Sequence, residues 1–263
     1  MKVCRQPACR AFQLPAILAL LLVSILSTSA TANATTVVEL RVEGGIGVAT
    51  ADYVRSGIEH AVDSGADLVI ITMDTPGGLM KPMRNIVQDI LASEVPIAVY
   101  VTPAGARADS AGTYILLAAH IAAMAPTTHL GAATPVPLMG GGQQQDGDDT
   151  QTGPAVERKA MNDAVSYIRG LAERHGRNAD WAEKAVTEAA TLTASAALEN
   201  NVIDFIATNR ADLLAQLDGH QVEVVGTPIT LSTTDTVVEE FEPNWRIRLL
   251  NVISNPEIVL ILG

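Results

Sequence analysis

Serine chemistry needs a hydroxyl with clear access, N–H donors for the oxyanion and a base to take the proton. The stretch ARADSAGTYILLAAH (106–120) offers the hydroxyl: Ser110 follows Asp109 and precedes the small residues Ala111 and Gly112 at the head of a long apolar run. If a helix starts there, the Ala111 N–H and the positive helix end face a developing oxyanion. Ser110 or Asp109 would serve equally as a plain N-cap, its oxygen accepting an N–H of the first turn. A second stretch, MDTPGGLMKPM (73–83), places Gly77-Gly78 where a buried strand ends and a helix should begin. Glycines at that point let N–H groups face outward with no Cβ in the way, which suits an oxyanion or phosphate site and also an ordinary turn.

The base could be histidine or lysine. His60, His175 and His220 read as surface or loop residues, and His120 ends an apolar helix, where a cation is favoured. His129, in APTTHLGAATPV (125–136), is the best histidine partner for a serine. No pair has metal-ligand spacing, so neither a metal nor a cofactor is expected. An ordinary lysine, with a pKa near about 10.4, must be buried to be neutral near pH 7. On a helical wheel of residues 156–171, Val156, Ala160, Ala164, Ile168 and Leu171 form an apolar stripe. Lys159 falls beside that stripe, at the edge of the core, although taken by itself it reads as an ordinary solvated lysine. Asp163, one turn on, is spaced to pair with it in solvent, for about 0.3 kcal/mol.

These residues must be held by an α/β frame. TVVELRV (36–42) alternates as a strand, residues 49–66 carry apolar residues at helical spacing, and DLVIITM (67–73) is a continuous apolar strand of the kind buried on both faces. A helix over 79–93, the strand PIAVYVT (96–102) and the helix near Ser110 continue the alternation, which predicts a parallel or mixed sheet covered by helices. MGGGQQQDGDDTQTG (139–153) has the composition of a mobile loop. Beyond it come helices over 156–176 and 180–189, a short helix turned by Asn200-Asn201 into a strand (193–207), and a hairpin over 221–232.

Residues 1–34 carry Lys2, Arg5 and Arg10, the apolar run AILALLLVSIL (16–26) and a small-residue tail, the layout of a secretory signal; its apolar core is short for an uncleaved anchor. Both cysteines, Cys4 and Cys9, lie in it, so the rest of the chain can form no disulfide. Without those three basic residues, 14 cations face 29 acidic groups, a net charge of −15 that makes nucleic acid a poor partner. With 48% hydrophobic but only 3% aromatic residues, the core must be aliphatic. The expected organisation is a leader over 1–34, one catalytic domain over 35–235, and a segment over 236–263. That last segment ends in IVLILG, readable as the beginning of a transmembrane helix or as an element docked on the core.

Taken together, DTPGG, ARADSAGTYILLAAHIAAMAP, GAATPV, KAMNDAVSYIRGLAERHGRNADWAEKAV and LTASAALENNVID resemble the NfeD family of membrane-associated serine proteases, in the Clp-protease and crotonase fold group. The similarity runs from about Thr36 to Ile206. It implies a Ser-Lys dyad, with Ser110 as nucleophile, Lys159 as base, and the Gly78 and Ala111 N–H groups as oxyanion donors. The histidine of related Clp proteases falls on Ala133 here. The resemblance further implies hydrophobic peptide segments as substrates, a stomatin- or prohibitin-like membrane partner, and work at the extracytoplasmic face of the membrane; a homo-oligomer is compatible with it. Asp109 departs from the small residues usual before the nucleophile, and a carboxylate there would favour a protonated Lys159. Two other readings fit the same motifs: an inactive homologue acting as a membrane assembly partner, and a crotonase-type acyl-CoA enzyme, which an exported chain disfavours.

Overall fold

In the computed structural model, which describes residues 34–135 and 153–243, strand periodicity separates two apolar layers. Strands β2 (Leu68–Asp74) and β3 (Ile97–Val101) are largely buried, as their continuous apolar runs require, while β1 (Thr35–Glu43) buries Val37, Val38, Glu39, Leu40 and Val42 and exposes Arg41 and Glu43. Val38, Leu40, Val69, Ile71, Val99 and Val101 face one layer, and Val37, Leu68, Ile70, Ala98 and Tyr100 face the other. Together with β5 (Ile121–Met124), β8 (Phe205–Ile206) and β11 (Thr236–Glu240) they form a six-stranded sheet in the order β11-β1-β2-β3-β5-β8, parallel throughout.

The first layer is roofed by α1 (Val48–Ser64), α2 (Met80–Ala92), α3 (Ala111–Ala118), α4 (Gly153–Arg174), α5 (Ala179–Thr187) and α6 (Ala194–Glu199). The second is covered by α7 (Arg210–Leu217) and the hairpin of β9 (Gln221–Val224) and β10 (Thr227–Thr230). The expected helix-covered α/β sheet is therefore present. Residues 236–240, assigned from sequence to the C-terminal segment, supply its edge strand beside β1. The leader, the 139–152 stretch and IVLILG lie outside the described residues. No helix among those described is long and apolar enough to cross a membrane.

Past the carboxyl ends of β1 and β2 the chain builds a second, smaller ladder. Ile46 bridges Gly78, Thr75 bridges Ala108, and β4 (Arg107–Asp109) pairs with β6 (His129–Gly131), which pairs with β7 (Thr191–Thr193). Strands of this length carry too few alternations to be read from sequence. The long apolar run after Ser110 also divides: α3 stops at Ala118 and Ile121–Met124 becomes β5, because both a buried helix and a buried strand accept unbroken apolar sequence.

Candidate active site

Ser110 occupies the N-cap position of α3, yet its side chain makes no capping hydrogen bond. Its backbone has φ 51° and ψ −112°, in the left-handed half of the map that costs a non-glycine residue about 1–3 kcal/mol. That conformation is fixed from several sides. The Ser110 N–H donates to the Gly131 carbonyl at 2.8 Å and the Asp109 N–H to the Thr75 carbonyl at 3.1 Å. Thr113 Oγ1 lies 2.8 Å from the Ala108 carbonyl and 3.0 Å from that of Gly131, and accepts the Gly131 N–H at 3.1 Å. A serine thrust out of a strand-to-helix turn in a strained conformation is the arrangement that exposes a nucleophile.

The glycine pair sits directly against it. An ideal Cβ on Gly77 would lie 2.7 Å from Ser110 Cβ and 3.2 Å from Oγ, so only glycine allows this approach. The Gly77 N–H is used internally, donating to Thr75 Oγ1 at 3.0 Å. Its carbonyl accepts the Ile46 N–H at 2.8 Å. Because C=O and N–H of a trans peptide point opposite ways, the Gly78 N–H turns away from Ile46 and meets no acceptor among the described residues. The Ser110 carbonyl accepts the Thr113 N–H at 3.0 Å and so points into α3, which leaves the Ala111 N–H pointing out of the helix start, also without an acceptor. All eight residues of α3 are buried, so its positive end acts with little solvent screening.

The carboxylate of Asp109 caps nothing. One oxygen lies 3.5 Å from His129 Nε2 and 3.8 Å from the Arg107 guanidinium, while Oδ1 is buried without a hydrogen-bond partner. His129 therefore meets Asp109, and no hydrogen bond joins it to Ser110. His120, expected at a site favouring a cation, is instead buried and neutral: its Nδ1 accepts the Ile97 N–H at 3.2 Å, and burial, followed by Arg174 and Arg177, lowers its pKa to about 4. His175, read as a surface residue, is half-buried against His120, and burial lowers its pKa likewise to about 4. Among the described residues no cluster of groups could hold a metal ion.

Lys159 is placed differently from the wheel's expectation. The apolar stripe of α4 is buried only from Ala164 onward; Val156 is 61% exposed, and Lys159 and Ala160 are exposed with it. The first turns of α4 extend past the body of the domain, so stripe membership does not imply burial there. Asp163 does not pair with Lys159. It forms an ion pair with Arg84 of α2, whose guanidinium lies 4.2 Å from the centre of the Tyr167 ring, and Tyr167 in turn stacks on Tyr114 of α3 at 6.0 Å. Thr75, Thr113, Gly131, Arg84 and Tyr167 were not found from the sequence; the only signal was the threonine just before PGG and another just after SAG.

The profile of the NfeD1b N-terminal domain matches residues 36–227. The chain belongs to the NfeD1b family. It is 37% identical over 224 residues to the membrane-bound protease PH1510 of Pyrococcus horikoshii, covering 84% of this chain and 49% of that protein. It is also 32% identical over 169 residues to membrane protein NfeD1b of Bacillus subtilis, covering 64% of this chain and 35% of that one. The chain thus spans about half the length of the first of these relatives and less of the second. Among solved structures, the 1510-N membrane-bound stomatin-specific protease superposes with a TM-score of 0.73 at 36% identity, covering 84% of this chain and 98% of that one; that structure is a lysine-to-alanine mutant in complex with a substrate peptide. A serine-to-alanine mutant of the same protease matches at a TM-score of 0.71, with 36% identity over 80% of this chain and 99% of the other. The parallel sheet and its roofing helices are accordingly the Clp-protease-like fold of those protease domains.

Proposed function

We propose that this NfeD1b-type chain is a membrane-associated serine endopeptidase in which Ser110 attacks the peptide carbonyl and Lys159 is the general base. In this reading neutral Lys159 takes the Ser110 proton, the Gly78 and Ala111 N–H groups receive the oxyanion, and Lys159 then protonates the leaving amine; water releases the acyl group. The observation that carries it is the free hydroxyl of Ser110, held at φ 51° against Gly77 and beside two N–H groups that lack acceptors. The substrates are apolar segments of a stomatin- or prohibitin-like membrane protein, in keeping with the stomatin-specific protease and the membrane-bound relatives above. The leader places the domain at the extracytoplasmic face, and the catalytic domain extends from residue 35 into the edge strand at 236–240.

The exposure of Lys159 favours a second reading, an assembly partner that does not cut. One experiment separates the two. The full chain is treated with a fluorophosphonate probe and, separately, with a peptide from the apolar tail of a stomatin-type protein. The protease reading expects labelling that Ser110→Ala abolishes and turnover that Lys159→Ala lowers at least about 100-fold. Equal labelling of wild type and Ser110→Ala removes the nucleophile, and turnover undiminished in Lys159→Ala removes the base.

A further inference from the structure

Asp163 stands four residues after Lys159 on α4, the spacing at which a helical lysine and carboxylate meet. Such a partner stabilises the ammonium, which is the wrong state for a group that must accept the serine proton. In the structure the carboxylate is engaged elsewhere, by Arg84 from α2. Arg84 is itself seated: its guanidinium lies over the face of Tyr167, on the same helix as Asp163 and one turn further along. The Asp163 side chain is 63% exposed and that of Arg84 32%, so the pair adds little to stability, and its worth has to be sought in what it does to its neighbours.

We propose that Arg84 is a positioning residue that withholds Asp163 from Lys159, leaving the base without a carboxylate partner. This rests on Lys159 being the base. Among the described residues, the charged and titratable groups around that end of α4 are few. Glu157, Arg158, Asp163 and Tyr167 lie on α4 itself, Arg84 and Lys81 on α2, and Tyr114 is the one titratable residue of α3. From α5, Asp180 and Glu183 are bound to Arg169, further down α4. Asp109 lies with Arg107 and His129. Asp163 is therefore the carboxylate whose release by a single substitution gives Lys159 an i,i+4 partner.

The test follows the rate of fluorophosphonate labelling of Ser110 in the full chain across a range of pH. Arg84→Gln frees Asp163, and the acid limb of the profile moves up by about 0.3 pH unit, roughly a twofold lower rate below the limb. Adding Asp163→Asn to Arg84→Gln returns the limb to its wild-type place, which a merely structural role for Arg84 would not do. Tyr167→Leu, which removes the ring that seats the guanidinium, moves the limb the same way and is cancelled by the same second change; it keeps the question open if Arg84→Gln does not fold. A limb unmoved in both single variants, or a shift that persists after Asp163→Asn, overturns the proposal. Lys159→Ala that labels as fast as wild type overturns the dyad beneath it. Loss of labelling in Lys159→Ala with an unmoved Arg84→Gln limb overturns only the role of Arg84.

Discussion

The two halves of the proposed dyad are held in opposite ways. Ser110 sits in a lattice of backbone and threonine hydrogen bonds joining β4, β6, the glycine loop and the first turn of α3. Lys159 sits on an exposed helical overhang with no hydrogen bond or ion pair among the described residues, and the nearest ordering feature is the Arg84–Asp163–Tyr167 cluster one to two turns on. Oxyanion donors gain from rigidity, because they act only if they are already aimed when charge develops. A base on a long side chain tolerates a looser seat and can be brought in when a substrate covers it. In the proposed mechanism the difference therefore separates what folding prepares from what substrate binding must complete.

The comparison breaks most directly at Gly78. An alanine Cβ there would lie 2.2 Å from the Ile46 carbonyl oxygen, so the Ile46–Gly78 bridge has to open. Gly78→Ala is expected to destabilise the domain by about 3 kcal/mol and, in the proposed mechanism, to slow labelling about 100-fold, since a proposed oxyanion donor is displaced. Lys159→Met should separate the two effects: in the proposed mechanism turnover is lost while stability stays within about 0.5 kcal/mol, as for an exposed residue without partners. Paired denaturation curves and labelling rates check both. If Lys159→Met proved as destabilising as Gly78→Ala, the overhang would be part of the rigid body and the contrast would fail.

A pH titration probes the far end of the rigid half. His120 and His175 lie behind the C-terminus of α3, where Arg177 donates to the carbonyls of Leu117 and Ala119, each at 2.9 Å. Burial, and then the neighbouring arginines, lowers both pKa values to about 4, below the 6.5 of an unfolded histidine. Between those values the unfolded chain binds more protons than the folded one, so stability is lost as pH falls from about 6.5 toward 4. The loss is at most about 3 kcal/mol per histidine. His120→Gln, which keeps an acceptor for the Ile97 N–H, should flatten that slope in urea titrations; an unchanged slope would mean that the pair does not carry it.

How much of this was legible in sequence follows the same division. The strands β1 to β3 and helices α1, α2 and α4 declare themselves because long periodic segments average out local accidents. PGG and SAG were readable as points of close backbone approach because they place small residues there, and Gly77 does pack directly against Ser110. The three-residue ladder that aims them was not, since its information lies in pairing between distant segments: Thr75 with Ala108, Arg107 with His129. The buried Arg177, tied to Asp204 at 2.6 Å and to helix carbonyls, carries no mark distinguishing it from a surface arginine. Nor does a helical wheel say where a helix leaves the body of the domain, which is why Lys159 was expected at the edge of the core and Asp163 beside it.

The smallest effect isolates the strain itself. Alanine at position 110 removes the hydroxyl and keeps the Cβ, so the cost of φ 51° remains. Glycine removes both and adopts that region freely, at the expense of a more flexible unfolded chain. The hydroxyl makes no hydrogen bond among the described residues, so its loss is common to both variants and cancels in their difference. Ser110→Gly should therefore be more stable than Ser110→Ala by about 1 kcal/mol, the strain relieved less the added entropy. Denaturant midpoints of the two variants measure this without reference to activity. Equal midpoints would mean that the lattice around Gly131 and Thr113 relaxes in the alanine variant and relieves the strain, so that the backbone bonds do not hold position 110 in this conformation.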